Sequence, residues 1–288
     1  MHFNEIYGNG RFGISIEVFP PKPPAVDKSL FLAIERLMKY RPDCISCTCG
    51  AGGSTRGRTI ELCGEIQKRF SVSATSHFTC IGSSKDQLLE TLSFAKKSGI
   101  QNILALRGDP PQGDSSFRFT EGGFKHANEL VALIREHFPE LGIAVAAYPE
   151  KHVEAPDPKT DLENLKRKVD AGADVAYTQL FFENKYFFNF YERYQAAGIK
   201  AHLIPGIMPI IDFSRIQQIT SMCGTRIPEK LAARFEAVKD DPKASLKVGV
   251  EHAVHQCQEL IAQGVPGIHL YALNLSRACR QVLEAIGR

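Results

Sequence analysis

Gly13-Ile14-Ser15-Ile16-Glu17-Val18-Phe19-Pro20-Pro21 is the stretch on which the fold turns. Ile14, Ile16 and Val18 alternate with Ser15, Glu17 and Phe19, the period of two that marks a strand with two unlike faces. The strand runs into two prolines, which cannot continue a ladder. Eight runs of apolar, strand-like residues occur along the chain, at 13–19, 44–49, 73–80, 102–108, 142–148, 175–182, 202–208 and 267–274. Helical periodicity fills the intervals near 26–40, 57–70, 85–98, 122–138, 160–172, 185–197, 213–236 (in two pieces) and 242–263, with a last helix at 276–287. Eight strands alternating with helices in 288 residues predict an α/β fold, a (β/α)8 TIM barrel. It is expected as a single domain over 1–288 with an extra C-terminal helix. The alternative is an open doubly wound sheet. A dinucleotide-binding sheet, however, wants Gly-x-Gly-x-x-Gly after its first strand, where this chain has Phe19-Pro20-Pro21.

Composition narrows the partners. Lys plus Arg number 35 against 32 for Asp plus Glu, a net charge of +3 with no basic run, so no nucleic acid is expected. The longest apolar run, 143–148, is far below the roughly 20 residues that span a bilayer, so no membrane is expected either. The first thirty residues carry Glu5, Glu17 and Asp27 and no signal-like apolar core. Eight cysteines sit mostly within strand-like or helix-like segments, reading as reduced core residues of a cytoplasmic protein. Cys44-x-x-Cys47-x-Cys49 lies in a strand, which points Cys44 and Cys47 to opposite faces, so no metal site is expected. His252 and His255, one helical turn apart with no third ligand, read as surface residues.

A barrel concentrates chemistry at the C-terminal ends of its strands. Ser15, Glu17 and Phe19 face inward, so Glu17 places a carboxylate in the upper lumen. It reads either as a structural acid paired with an Arg, or as a general acid whose pKa is raised by burial beside Phe19. Strand two ends at Ser46 and Thr48, followed by the glycine-rich Gly50-Ala51-Gly52-Gly53-Ser54-Thr55-Arg56, a phosphate cradle or a plain flexible loop. Thr75, His77 and Thr79 share one face of strand three. Strand four exits through Arg107-Gly108-Asp109, placed for a ligand or for a private ion pair. Strand five ends at Tyr148-Pro149-Glu150-Lys151-His152, and strand six holds Gln179 in phase with Tyr177. Thr160-Asp161-Leu162-Glu163 reads as a capping box. In the helix it opens, Asp161, Asn164 and Lys168 form a polar stripe with Arg167 alongside, either a solvated face or a ligand contact.

In order, these pieces resemble the bacterial methylenetetrahydrofolate reductase family over nearly the whole chain. The resemblance is carried by 15–21, Thr48 to Arg56, His77-Phe78-Thr79-Cys80, Leu106-Arg107-Gly108-Asp109 and Ala147 to His152. It continues through 164–173, 178–182, Pro205-Gly206-Ile207-Met208-Pro209 and Tyr271-Ala272-Leu273-Asn274. It implies a barrel that binds FAD non-covalently and uses NADH (or NADPH) to reduce methylenetetrahydrofolate to methyltetrahydrofolate in a ping-pong cycle. It also implies a homo-oligomer, and 288 residues leave no room for the regulatory domain of eukaryotic relatives. By the same resemblance Glu17 is the general acid that opens the imidazolidine ring to an iminium. Asp109 lies near the flavin, binds the pterin and stabilises that cation, and Gln179 hydrogen-bonds the substrate. The FAD contacts it implies are Thr48, Ala51, His77, Arg107, Gly108, Asp109, His126, Ala127, Tyr148, His152, Asp161, Asn164, Arg167 and Lys168. Arg277 stands near the place of a substrate-binding Arg, after Leu275. Cys49, His126, Ile219 and Leu275 depart from the family pattern. The competing expectations are another FAD-dependent barrel oxidoreductase, resembling proline dehydrogenase, and a catalytically silent folate- or flavin-binding relative.

Overall fold

The computed structural model describes residues 1–21, 27–50, 53, 55–109 and 120–288. Seven of the predicted runs each contain one strand: β1 (Gly13–Val18), β2 (Cys44–Cys47), β3 (Ser73–Thr79), β4 (Asn102–Leu106), β5 (Gly142–Ala147), β6 (Val175–Thr178) and β9 (Gly267–Tyr271). The run at 202–208 carries two, β7 (His202–Ile204) and β8 (Gly206–Ile207). Pro205 divides them because it has no N–H to give a ladder, while its carbonyl still accepts from His269 N at 2.9 Å. β7 pairs with β6 and β8 pairs with β9. The seventh run thus changes neighbours at Pro205, and the two ends of the order β7-β6-β5-β4-β3-β2-β1-β9-β8 meet in it. All pairings among these nine strands are parallel. The result is the expected (β/α)8 barrel.

The outer layer comprises α2 (Asp27–Met38), α3 (Arg56–Phe70), α4 (Lys85–Lys97), α5 (Ala127–His137), α6 (Pro158–Asp170) and α7 (Asn184–Ala196). It continues with α8 (Phe213–Cys223), α9 (Glu229–Glu236), α10 (Pro242–Ala262) and the extra C-terminal helix α11 (Ser276–Ala285). Ile14, Ile16 and Val18 enter the main core between strands and helices, which turns Ser15 and Glu17 into the lumen as the period of two requires. Among the described residues no helix is long and apolar enough to cross a membrane. Six of the eight cysteines are buried, and burial pushes the Cys44 and Cys279 thiols up to about 12, which keeps them protonated and unreactive.

One element escapes sequence periodicity. α1 (Phe3–Tyr7) is five residues long, too short to show a stripe. It closes the lower end of the lumen, where Phe3, Ile6 and Tyr7 pack with Cys44, Leu104, Ala144, Val175, Tyr177 and Ile204. Phe3 N donates to Asn102 Oδ1 at 3.1 Å, tying the plug to β4. The plug thus seals the end of the lumen opposite the C-terminal ends of the strands.

Candidate active site

Glu17 stands in β1 opposite Ser46 of β2 and Tyr271 of β9. Its height is set by Asn274, a residue in the left-handed region (φ 61°). The Asn274 side chain accepts from Phe19 N and donates to Phe19 O, both at 2.9 Å, lashing the exit of β1 to the end of β9. Two imidazoles converge on one carboxylate oxygen: His269 Nε2 lies 3.2 Å from Glu17 Oε2 and His77 Nε2 lies 3.3 Å from it. His77 Nε2 is also 2.8 Å from Ser46 Oγ. The expectation that burial raises the Glu17 pKa is overturned. Burial does push it up, but the charge of His77 and the hydrogen bonds from His269 and His77 outweigh that, holding it at about 2. The expected Arg partner is replaced by this imidazole pair. His269 was missed in the sequence; the signal was its position in phase with Tyr271 on the last strand.

A second polar region opens beside the lumen over β4, β5, α5 and α6. It is a cavity of about 420 Å³ whose lining includes Leu106, Arg107, His126, Ala127, Tyr148, His152, Asp161, Asn164, Arg167 and Lys168. The polar stripe of α6 therefore faces a cavity. Asp161 accepts from His152 N at 3.1 Å, and Asn164 accepts from Arg167 at 2.7 Å. Tyr148 meets the His152 ring edge-on at 4.6 Å. The Lys168 ammonium donates to Ala146 O and lies 6.0 Å from the Tyr148 ring centroid. Burial pulls Lys168 down to about 8, only partly opposed by the Asp161 charge, so a half-buried cation here lacks a full complement of negative charge. Arg107 is held by Glu154 through two bonds of 2.5 and 2.8 Å at the rim. The N-terminus of α5, capped at His126, presents its first turn to the same space. Three cations, a helix N-terminus and apolar walls from Ala105, Leu106 and Ala146 form a donor set suited to a diphosphate attached to a flat ring.

The start of α6 differs from expectation. The helix begins at Pro158, and Asp157, not Thr160, is its N-cap, accepting from Thr160 N at 2.8 Å and from Thr160 Oγ1 at 3.0 Å. Pro158 at the first helical position favours that earlier start. Asp157→Ala should lower the urea unfolding midpoint, and Thr160→Ala should lower it distinctly less.

The other predicted residues are distributed around these two centres. Gly108 has φ +86°, and a Cβ there would meet Ile81 and Thr79 at 2.8 Å, so only glycine fits between β3 and β4 at this exit. Asp109 is 87% exposed and 3.9 Å from Arg107, with the stronger ion pair going to Glu154. Thr48 N donates to Val18 O at 2.9 Å, and Thr48 O accepts from Thr59 Oγ1. Gln179 Oε1 accepts from Leu180 N at 2.9 Å. Arg277 is exposed at the second position of α11. Ala51 lies outside the described residues. Thr48, His77, Gly108, Asp109, Gln179 and Arg277 do not line the cavity that gathers the α6 stripe. An apolar pocket of about 210 Å³ opens beside Tyr271, between Met208, Ile216, Ile219, Leu273 and Leu275, with Asp212 and Arg215 also in its lining. His252 is not the surface residue expected, since its Nε2 lies 2.9 Å from Phe182 O. Among the described residues no cluster of His, Cys, Asp and Glu is arranged to hold a metal ion.

With this geometry in hand, comparisons with known proteins point one way. The family model described as methylenetetrahydrofolate reductase matches residues 2–287. The 5,10-methylenetetrahydrofolate reductase of Escherichia coli K12 is 36% identical over 278 residues, 96% of this chain and 92% of that protein. Methylenetetrahydrofolate reductase (NADH) 1 of Zea mays is 37% identical over 293 residues, 98% of this chain but 49% of that protein, so the chain spans about half the length of such plant relatives. Among solved structures, an uncharacterized Clostridium thermocellum protein that binds two copies of 5-methyl-5,6,7,8-tetrahydrofolic acid superposes with a TM-score of 0.65 at 12% identity. That match covers 99% of this chain and 97% of the other. At that identity the likeness speaks for the barrel alone.

Proposed function

The chain belongs to the methylenetetrahydrofolate reductase family, and from that premise we propose that it reduces 5,10-methylenetetrahydrofolate to 5-methyltetrahydrofolate, with FAD in the cationic cavity and NADH or NADPH as reductant. The observation that carries the reading is the presence, in one barrel, of a lumen carboxylate, Glu17, and a cavity lined by Arg107, Arg167 and Lys168. Bound there, FAD supplies the hydride carrier that protein side chains lack. Arg107, Arg167 and Lys168 would neutralise its diphosphate, and His126, Ala127, Tyr148, His152, Asp161 and Asn164 would line the rest of its site, with Thr48, His77 and Gly108 at the neighbouring strand ends. Glu17, a carboxylate in the ligand-free lumen, takes up a proton once bound substrate displaces water and shields it from its imidazole partners. It delivers that proton to the imidazolidine nitrogen of the substrate, opening the ring to a cationic iminium. Asp109, whose exposed carboxylate lies at the exit of β4, stabilises that cation. Gln179 and Arg277 hold the substrate, with the Gln179 amide donating to the pterin. The cycle would be ping-pong, the oxidised nicotinamide leaving before the folate binds.

The reading is tested by stopped-flow absorbance of the flavin-reconstituted protein, mixed first with NADH and then with methylenetetrahydrofolate. Bleaching followed by recovery of the flavin colour is expected. Protein that cannot be reconstituted with FAD refutes the reading, and so does a flavin reduced by proline but never reoxidised by the folate. Asp109→Asn should slow reoxidation by the folate roughly tenfold while flavin retention changes little. Wild-type turnover of the folate by that variant removes Asp109 from the role of cation stabiliser.

A further inference from the structure

Behind Glu17 a chain of polar side chains runs down the lumen to the plug. His269 Nε2 faces Glu17, and its Nδ1 is 2.7 Å from Ser15 Oγ. Towards the plug lie the phenols of Tyr7 and Tyr177, whose hydroxyls are 3.0 Å apart and which interact electrostatically with Ser15. The Tyr177 ring stacks on His269 with centroids 4.5 Å apart, and Tyr271 meets the imidazole edge-on at 5.0 Å. Ser15 and His269 are at most 1% exposed, and Tyr7 and Tyr177 at most 3%, so side chains rather than bulk water determine these bonds.

The donor directions follow from the chemistry of each group. Burial pushes both phenols well above their ordinary range, so Tyr7 and Tyr177 keep their protons and act as donors. Phenol protons near Ser15 Oγ favour the arrangement in which Ser15 gives its own proton to His269 Nδ1, 2.7 Å away. An imidazole that accepts at Nδ1 carries its hydrogen on Nε2, the atom aimed at the Glu17 carboxylate. That N–H stabilises the carboxylate that forms as Glu17 gives up its proton. Among the described residues the remaining titratable neighbours are His77 from β3, Tyr271 from β9 and Cys47 from β2. Among these only His77 also holds the carboxylate oxygen.

We propose that His269 is a positioning residue for Glu17, and that its tautomer is set from the closed end of the barrel by Ser15 and the Tyr7–Tyr177 pair, so that the α1 plug acts on the active-site acid. This rests on the reading of Glu17 as that acid. Helix α1 then has a second role besides sealing the lumen. Its last residue fixes the direction of a hydrogen bond made at the other end of the chain.

The first test needs no cofactor. In ligand-free protein labelled with 13C at the glutamate carboxyls, the Glu17 titration midpoint is followed by NMR in wild type, Tyr7→Phe, Ser15→Ala, His269→Gln and His269→Leu. The midpoint should rise in every variant, most in His269→Leu. His269→Gln, which keeps a donor near the Nε2 position, should lie closer to wild type. Tyr7→Phe preserves the packing of the plug and covers the case in which His269→Leu fails to fold. An unchanged midpoint in both Ser15→Ala and Tyr7→Phe overturns the proposal. In stopped flow, Ser15→Ala should slow flavin reoxidation by methylenetetrahydrofolate roughly 10- to 100-fold and move its pH profile, with flavin reduction by NADH within about twofold of wild type. Equal losses in both half-reactions overturn it as well. Failure of the wild-type protein to be reoxidised by the folate counts against the proposed function instead, and the carboxyl titration then decides this inference alone.

Discussion

Glu17→Gln is expected to leave flavin reduction by NADH within about twofold of wild type while lowering flavin reoxidation by methylenetetrahydrofolate roughly 10²- to 10⁴-fold, the span of a lost general acid. Glutamine keeps the shape of the side chain and can still accept from His269 and His77, so the lumen is not emptied. It cannot give a proton to the imidazolidine nitrogen. Hydride transfer from NADH creates no need for that proton, which separates the two half-reactions. An equal loss in both would make Glu17 a structural residue.

The same substitution has an independent signature in stability. In the folded protein Glu17 is held at about 2, below its ordinary 4.5. The folded state therefore binds this proton less readily than the unfolded chain does. The resulting stabilisation is fully present above about pH 4.5 and disappears as pH falls toward 2. Glu17→Gln lacks that dependence. Urea midpoints should accordingly show a smaller acid loss for the variant than for wild type between pH 5 and pH 3. Parallel decline of the two proteins over that interval would mean the imidazole pair does not hold the carboxylate.

The architecture was legible because its signals are local. The alternation of Ile14, Ile16 and Val18 with Ser15 and Glu17 decided which side chain enters the lumen, and the core confirms that division. The stripe of Asp161, Asn164, Arg167 and Lys168 was legible as a unit for the same reason, since helical spacing alone brings those residues to one face. The acid strength of Glu17 was not legible. It depends on His77 and on His269, the latter 252 positions away in sequence, and no local pattern reports a partner at that distance. Burial taken alone gives the wrong sign, because in a closed barrel the groups that exclude water can also be the groups that donate. The plug was missed through its shortness. The α6 start was misplaced because Thr160 and Glu163 imitate a capping box one turn after the residue that caps. The break at Pro205 follows from its missing N–H, but its consequence, a strand that changes neighbours to close the barrel, needs the parallel register on both sides.

Lys168→Met should weaken flavin retention roughly 10- to 100-fold, the loss of one charge-assisted bond to a diphosphate worth about 1.5–3 kcal/mol. Methionine retains the unbranched stem and its packing against Tyr148, so what disappears is the ammonium. The pH dependence makes the argument specific. In the ligand-free protein burial holds Lys168 at about 8. A diphosphate brought beside it favours the charged form, so its pKa in the complex is higher than in the free protein. Below about pH 8 both states carry the charge, and affinity should not depend on this residue's titration. As pH rises above 8 the free protein loses the proton while the complex retains it. Binding must then take up a proton, and affinity should fall with a slope approaching tenfold per pH unit until the higher pKa is passed. The slope should be absent in Lys168→Met, whose weak binding stays level over the same interval. Fluorescence titration of FAD into the apoprotein between pH 6.5 and 9.5 measures both curves. A wild-type affinity that is flat across that range, or a variant that keeps the wild-type slope, would place the diphosphate away from Lys168. The α6 stripe would then be a polar helix face that happens to border a cavity.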